Sequence, residues 1–299
     1  FIDTAEIYPV APRAQTGHRT DRKIGNTLKQ QQRDKHVVAT QIAGPPRGFG
    51  WIRGGPRVNK EHIHAAIDAS LQRLQTDYVD LYQIHWPDRY VPMFGATSYD
   101  AAQDRDATPI AEQLHALGEL VKAGKVRHIG LSNETPWGVM EFVRCAEQLG
   151  LPKIVSIQNA YHLMNRTFEA GLAEVCHHSD VGLLAYSPLA FGWLSGKYLA
   201  DPQAHGRITL FPGFGQRYNK PNVPAATQEY VRIAQEAGLT PATLALAFAR
   251  TRRFTSSVIL GATTLTQLKE NLESAEVTLT EETLTAIENV HQRYPNPAP

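Results

Sequence analysis

The sequence predicts an α/β protein with a parallel sheet, of the (β/α)8 TIM-barrel class. Three observations predict it. Short apolar, β-branched runs recur along the chain at residues 1–3, 36–43, 78–86, 126–133, 154–161, 182–189 and 256–262. Near-continuous runs of this kind are strands buried on both faces. Amphipathic helical patterns separate them, and strand–helix–strand repeats imply parallel pairing with right-handed crossovers. No Gly-x-Gly-x-x-Gly turn follows an early strand, which counts against an open doubly wound sheet.

The elements follow in order. Residues 59–74 place Ile63, Ile67, Leu71 and Leu74 at helical spacing, with Asn59 as N-cap. Residues 109–123, 136–149 and 168–178 repeat that pattern. Thr135-Pro136 reads as an N-cap followed by Pro at the first helical position. Gly124 and Gly150 follow helix ends, where a left-handed residue is favoured. Two loops break the rhythm, at about 44–58 and 190–224; the second carries Phe191, Trp193, Phe211, Phe214 and Tyr218. Loops this long are usually functional, and both follow strands, on the face where barrel active sites lie. A further helix begins near Thr264, and residues 280–294 form the C-terminal one, opened by Thr-Glu-Glu. Seven strands against the eight of a closed barrel place the first β/α unit before residue 1, so that the chain is expected to be one barrel domain over 1–299 without that unit. A chain truly lacking it would expose strand edges and favour pairing with a second chain.

Composition narrows the function. A net charge of +1 gives no reason to expect nucleic acid or an anionic membrane surface. No apolar run approaches the roughly 20 residues of a membrane helix. Cys145 and Cys176 lack metal-ligand spacing and read as helix-packing residues, which fits a reducing cytoplasm and no metal. A homo-oligomer is compatible with the sequence, which does not define an oligomeric state.

Candidate chemistry gathers at strand ends. Phe1-Ile2-Asp3-Thr4-Ala5-Glu6-Ile7-Tyr8 puts Asp3 and Tyr8 at the end of the first strand, and Tyr82-Gln83-Ile84-His85-Trp86 puts His85 at the end of the third. A carboxylate, a phenol and an imidazole at one mouth of a barrel suit proton donation to a carbonyl while another group delivers hydride. Alternation turns Asp80, Tyr82 and Ile84 to one side of their strand and Leu81, Gln83 and His85 to the other.

Phe1-Ile2-Asp3-Thr4-Ala5-Glu6-Ile7-Tyr8 resembles the second-strand motif of the aldo-keto reductase superfamily. Ser70-Leu71-Gln72-Arg73-Leu74-Gln75-Thr76-Asp77-Tyr78-Val79-Asp80-Leu81-Tyr82 is similar to its helix-to-strand signature. Gly130-Leu131-Ser132-Asn133-Glu134, Ser156-Ile157-Gln158-Asn159, Leu184-Ala185-Tyr186-Ser187-Pro188-Leu189 and Gly261-Ala262-Thr263-Thr264 with Gln267-Leu268-Lys269-Glu270-Asn271 resemble its cofactor-binding strand ends and loop. The nearest branch is the Tas-like one, beside the potassium-channel β subunits. The resemblance implies that Tyr8 is the general acid, that His85 orients and polarises the carbonyl, and that Asp3 is a buried supporting acid. It implies that Ser132, Asn133 and Gln158 hold the nicotinamide amide and Tyr186 stacks on its ring. Ser187, Leu189, Gly192 and Lys197 would meet the pyrophosphate, and Arg207, Thr263, Gln267, Glu270 and Asn271 the adenosine end. Lys197 and Arg207 favour NADP(H) over NAD(H), because a 2′-phosphate takes charge-assisted donors. Trp86, Tyr90, Phe94, Phe191 and Trp193 would line the pocket for a small apolar or aromatic carbonyl compound. Arg47, Arg53 and Arg57 read as a solvated loop rather than an attractor for acidic substrates.

The sequence departs from the pattern at one chemical position. Where the family has lysine at the end of the second strand, this chain has Gln41. An ammonium there would favour the phenolate of Tyr8, whose ordinary pKa is near 10, and would pair with Asp3. A neutral amide supplies no charge, so NADPH-dependent reduction of aldehydes or ketones is expected to be impaired and Asp3, if buried, to lean towards its protonated form. The alternative expectation is an NADPH-binding sensor with little turnover, as channel β subunits resemble. At Thr20-Asp21 the family often has glutamate second, and Asp21 is expected to cap the following helix.

Overall fold

The computed structural model describes residues 1–45 and 48–299. Seven strands among them form one sheet whose spatial order is the chain order, β1 to β7. They are β1 (Ile2–Asp3), β2 (Val38–Ile42), β3 (Val79–Ile84), β4 (Val126–Ser132), β5 (Ile154–Ala160), β6 (Gly182–Tyr186) and β7 (Thr255–Ile259). The β1–β2, β2–β3, β3–β4 and β6–β7 pairs are parallel. A doubly wound sheet would reverse its order at a switch point; unbroken sequential order is the topology of a (β/α)8 barrel. The chain divides into two compact units. One comprises Phe1–Val91, Tyr99–Ile157 and His178–Val181; the other comprises Pro92–Ser98, Gln158–His177 and Gly182–Pro299.

In the first unit, helices α1 (Arg19–Leu28), α2 (Lys60–Leu74), α3 (Ile110–Lys122) and α4 (Pro136–Leu149) alternate with β1 to β4. Every residue of β2 and β3 is buried, as the apolar runs predict. Ile63, Ile67, Leu71 and Leu74 of α2 are all buried, each worth roughly 1.5–3 kcal/mol. Asn59 caps α2 by accepting from the His62 N–H at 3.0 Å. Thr135 caps α4 with Pro136 behind it, and Gly150 ends α4 at φ 64°. Alternation on β3 holds. The Tyr82 hydroxyl donates to the Ile63 carbonyl of α2 at 3.3 Å, while Gln83 faces the other way, level with Gln41. Asp80 ties the start of β3 down. It accepts from the Val38 N–H (3.0 Å), Arg33 (2.8 Å) and Arg127 (2.7 Å). Burial opposes the charge on Asp80, but these donors outweigh it and hold the carboxyl below its ordinary range.

Asp21 does not cap α1. That position belongs to His18, in the left-handed region at φ 67° with no side-chain cap bond. Asp21 lies one turn inside, fully buried, accepting from the Thr4 hydroxyl (2.8 Å) and Arg73 (3.0 Å). A short acid there serves β1 and α2 rather than its own helix end.

The second unit holds α5 (Leu172–Ser179, its last residues in the first unit), α6 (Lys197–Ala200), α7 (Arg207–Leu210), α8 (Asn222–Glu236), α9 (Pro241–Thr251), α10 (Leu265–Glu273) and α11 (Glu281–Arg293). The helix expected over 168–178 is broken. A 3-10 turn covers Thr167–Glu169, Gly171 sits at φ 94°, and α5 starts only at Leu172. The segment expected as a loop over 190–224 is partly helical: it contains the turns Ala190–Ser195 and Gln216–Asn219 as well as α6 and α7, and α8 begins inside it. Thr264 and Thr280 cap α10 and α11, accepting from the N–H groups of Gln267 and Thr283 at 3.2 Å each. Cys145 and Cys176 are buried free thiols. No helix among the described residues is long and apolar enough to cross a membrane, and none of their His, Cys, Asp or Glu side chains cluster as metal ligands.

Candidate active site

In the first unit, pairing continues past β1 and delivers Tyr8. The N–H of Thr4 donates to the Ala39 carbonyl (3.0 Å), that of Glu6 to Gln41 (3.2 Å), and that of Tyr8 back to Ala5 (3.0 Å). The Tyr8 ring meets His85 edge-on, centroids 5.7 Å apart and planes at 84°. His85 is fixed by its own N–H donating to Ile42 (2.9 Å) and by Asn133 Nδ2 donating to its carbonyl (2.8 Å). Asn133 adopts φ 52° and also donates to Ser132 Oγ at 3.1 Å. One side chain thus binds the ends of β3 and β4 together.

Burial drives the His85 pKa down to about 3, so the ring is neutral at ordinary pH. His162, in the second unit, is likewise driven down to about 3, by burial first and by Arg217 second. Both groups bind protons more weakly folded than unfolded. Their stability contribution is therefore complete above the ordinary value of 6.5 and is lost as pH falls towards 3. Below pH 6 the unfolding free energy should drop by about 1.4 kcal/mol per pH unit per histidine. Urea titrations from pH 7 to 4 check this: His162→Gln should flatten the slope, and an unchanged slope would refute the assignment.

Asp3 is half-buried, not the buried acid that the sequence implied. Gln41 Nε2 lies 3.3 Å from both of its carboxylate oxygens, and Gln83 Nε2 lies 3.4 Å from one. Two neutral amides therefore face the carboxylate at long hydrogen-bond distances. Gln83 escaped sequence reasoning, although its register opposite Gln41 would have found it. Glu6 also escaped. It is 1% exposed, accepts from the Ala43 N–H (2.6 Å) and takes a forked pair from Arg53 (2.5 and 2.9 Å). Arg57 pairs with buried Asp88 at 3.2 Å. Arg53 is thus an internal brace of the loop after β2 rather than a solvated charge, while Arg57 keeps a side chain that is 37% exposed as it pairs with Asp88; Arg47 lies outside the described residues. Trp86 is 2% exposed, donates to the Pro45 carbonyl (3.2 Å) and packs on Gly44, where an added Cβ would meet its ring at 2.5 Å. That placement makes Trp86 a packing residue before a pocket wall. Tyr90 tilts against Tyr99, 5.7 Å between centroids.

In the second unit, Gln158 is buried on β5 and Tyr186 ends β6. The chain then turns through left-handed residues Ser187 (φ 55°), Ala190 (48°), Phe191 (56°) and Gly192 (100°). The Gly192 N–H is taken by the Leu189 carbonyl at 2.8 Å. Phe191 stacks on Phe214 (5.4 Å) and tilts on Tyr218 (4.8 Å), with the Arg207 guanidinium 4.6 Å from its ring centre. Trp193 tilts on Tyr198 at 5.4 Å, and Phe94 lies 5.5 Å from the Arg217 guanidinium. Lys197 Nζ donates to the His205 carbonyl (3.1 Å), and partial burial lowers its pKa. Around α10, Gln267 Oε1 accepts from the Thr263 N–H (2.9 Å) and hydroxyl (3.0 Å), and Asn271 donates to Gly261 (3.4 Å). Glu270 accepts from the Thr240 hydroxyl at 2.6 Å.

These residues fit a phosphate-bearing dinucleotide. Neither Lys197 nor Arg207 pairs with a carboxylate among the described residues, and the exposed start of α10 offers backbone N–H groups beside Thr263.

Seven parallel strands in chain order define a protein of the (β/α)8-barrel class, with a carboxylate, a phenol and a neutral imidazole at its strand ends. The Aldo/keto reductase family model matches residues 1–292, and the chain belongs to that family. It is 47% identical to Protein tas of Escherichia coli over 302 residues, covering 100% of this chain and 87% of that protein. It is 41% identical to an aldo-keto reductase of Babesia bovis, covering 80% of this chain and 88% of that protein. It is 30% identical to the NADH-specific methylglyoxal reductase of Escherichia coli, covering 86% of this chain and 75% of that protein. The protein is thus an oxidoreductase of a family that acts on small carbonyl compounds with NAD(P)H.

Proposed function

We propose that this chain reduces aldehydes or ketones to alcohols with NADPH, at a rate limited by Gln41. The contact of Tyr8 with a neutral, fixed His85 carries the reading. Bound NADPH supplies the hydride. His85, uncharged, orients the carbonyl by hydrogen bonding rather than by protonating it. Tyr8 gives its proton to the carbonyl oxygen as negative charge develops there. The Gln41 amide supports Asp3 but brings no positive charge to stabilise the phenolate left behind. Ser132, Asn133 and Gln158 serve the nicotinamide amide, and Tyr186 stacks on its ring. Ser187, Leu189 and Lys197 take the pyrophosphate; Arg207, Thr263, Gln267, Glu270 and Asn271 take the adenosine end.

Saturable, aldehyde-dependent oxidation of NADPH above the background of a Tyr8→Phe variant tests the reading. Tight NADPH binding with rates equal to that variant would replace it with a sensor. Cofactor choice has its own test. Arg207→Ala should weaken NADPH binding about 10–100-fold, the scale of a charge-assisted contact, and NADH binding far less. Fluorescence titration of both cofactors reads the difference, and equal losses would remove Arg207 from the 2′-phosphate.

A further inference from the structure

Tyr8 lies past the end of β1, so the strand itself does not hold it. The Glu6 N–H donates to the Gln41 carbonyl of β2 at 3.2 Å, whereas the Tyr8 N–H turns back to Ala5 at 3.0 Å. The Glu6 side chain carries the connection further. Its Oε1 accepts from the Ala43 N–H, just beyond β2, at 2.6 Å. Arg53 closes a fork on the same carboxylate, with Nη1 at 2.5 Å from Oε2 and Nη2 at 2.9 Å from Oε1. The two side chains are 1% and 19% exposed, so water competes little for the pair.

Arg53 reaches Glu6 from an uncommon backbone. Its φ is 46°, and Gly54 and Gly55 follow at 73° and 127°. A left-handed arginine persists only where its surroundings over-determine it. Just before it, the Trp51 ring meets His18 edge-on at 5.7 Å. Gly17 makes room for that ring: an added Cβ there would stand 2.5 Å from it. The loop is thus seated on both sides of the segment that carries Tyr8.

We infer that Glu6 and Arg53 are positioning residues for Tyr8, their fork fixing the turn that brings its phenol against His85. The inference rests on the reductase reading and adds to it the pair that aims the acid. Both act through Tyr8 rather than on the carbonyl, and all the groups involved belong to the Phe1–Val91 stretch of the first unit. Arg57 supplies a contrast within the same loop. It pairs with Asp88 at 3.2 Å and makes no bond to Glu6 among the described residues.

Removing one partner leaves a buried charge uncompensated, so the variant to test removes both, Glu6→Gln with Arg53→Met. Its kcat with 4-nitrobenzaldehyde should fall about 10–100-fold, the scale of a misplacement of about 1 Å, with KM for NADPH little changed. Arg57→Met should leave kcat as it is. In a Tyr8→Phe background the double substitution should cost little more, because no phenol remains to be aimed. Fluorine NMR of protein labelled with 3-fluorotyrosine reads the placement without turnover. The Tyr8 signal, the one missing from Tyr8→Phe, should shift or broaden in the double variant and stay in place in Arg57→Met. Arg53→Lys keeps the charge and loses the fork; it should show smaller changes of the same kind and carries the test if the double variant does not fold. A displaced Tyr8 signal supports the inference even if no variant reduces an aldehyde, in which case the reductase reading alone fails. An unmoved Tyr8 signal overturns it. So does a loss of kcat that Arg57→Met reproduces or that persists in full without the Tyr8 hydroxyl, which would make the pair an ordinary brace.

Discussion

On the proposed reading, replacing Tyr8 with phenylalanine should lower kcat for aldehyde reduction by about 10²–10⁴-fold, the range for removal of a general acid. The substitution keeps the ring, and with it the edge-on contact to His85 at 5.7 Å. What disappears is the one proton positioned beside a neutral imidazole. His85 does not replace it: with its pKa pushed down to about 3 by burial, the ring carries no spare proton near pH 7. Steady-state oxidation of NADPH with 4-nitrobenzaldehyde measures the loss. A variant within about threefold of the parent would show that another group donates the proton and would end the assignment of Tyr8.

On the same reading, Gln41→Lys should raise turnover by about 10²-fold or more, because an ammonium would supply what the amide lacks. Gln41 is 1% exposed and already points its Nε2 at both Asp3 oxygens from 3.3 Å. A lysine there gains a carboxylate partner, so the buried charge is paired. The two directions of the reaction should not gain equally. Reduction starts from a neutral phenol, which already donates. Oxidation needs the phenolate, which the ammonium stabilises, so alcohol oxidation by NADP+ should gain more and its pH profile should shift to lower pH. Stopped-flow rates in both directions check this. Equal rates for parent and variant, with circular dichroism showing the variant folded, would remove the interrupted relay from the account.

Much of the architecture was readable because strands buried on both faces leave a plain signature. Val38–Ile42 and Val79–Ile84 are buried at every residue, and the caps Asn59, Thr135, Thr264 and Thr280 declare their helices locally. The failures have different causes. Gly171 splits a periodic apolar run, since periodicity does not register one left-handed residue. The short helices after β6 depend on stacking between Phe191, Phe214 and Tyr218, which lie far apart in sequence. Tyr8, His85 and Gln41 stood out as motif positions. Gln83 and Glu6 did not, because their significance comes from what each faces across the fold: a carboxylate or a guanidinium.

The segment after β6 is tied together by its own hydrogen bonds. Ser187 to Gly196 are closed by the Leu189 and Trp193 carbonyls and by Ser195 donating to Gly192, while the Tyr198 hydroxyl bridges the Phe191 carbonyl and the Ile208 N–H. A segment ordered in this way surrenders little entropy on meeting a dinucleotide. Capture would then proceed as a single kinetic phase whose rate rises linearly with cofactor concentration, without the plateau of a slow closing step.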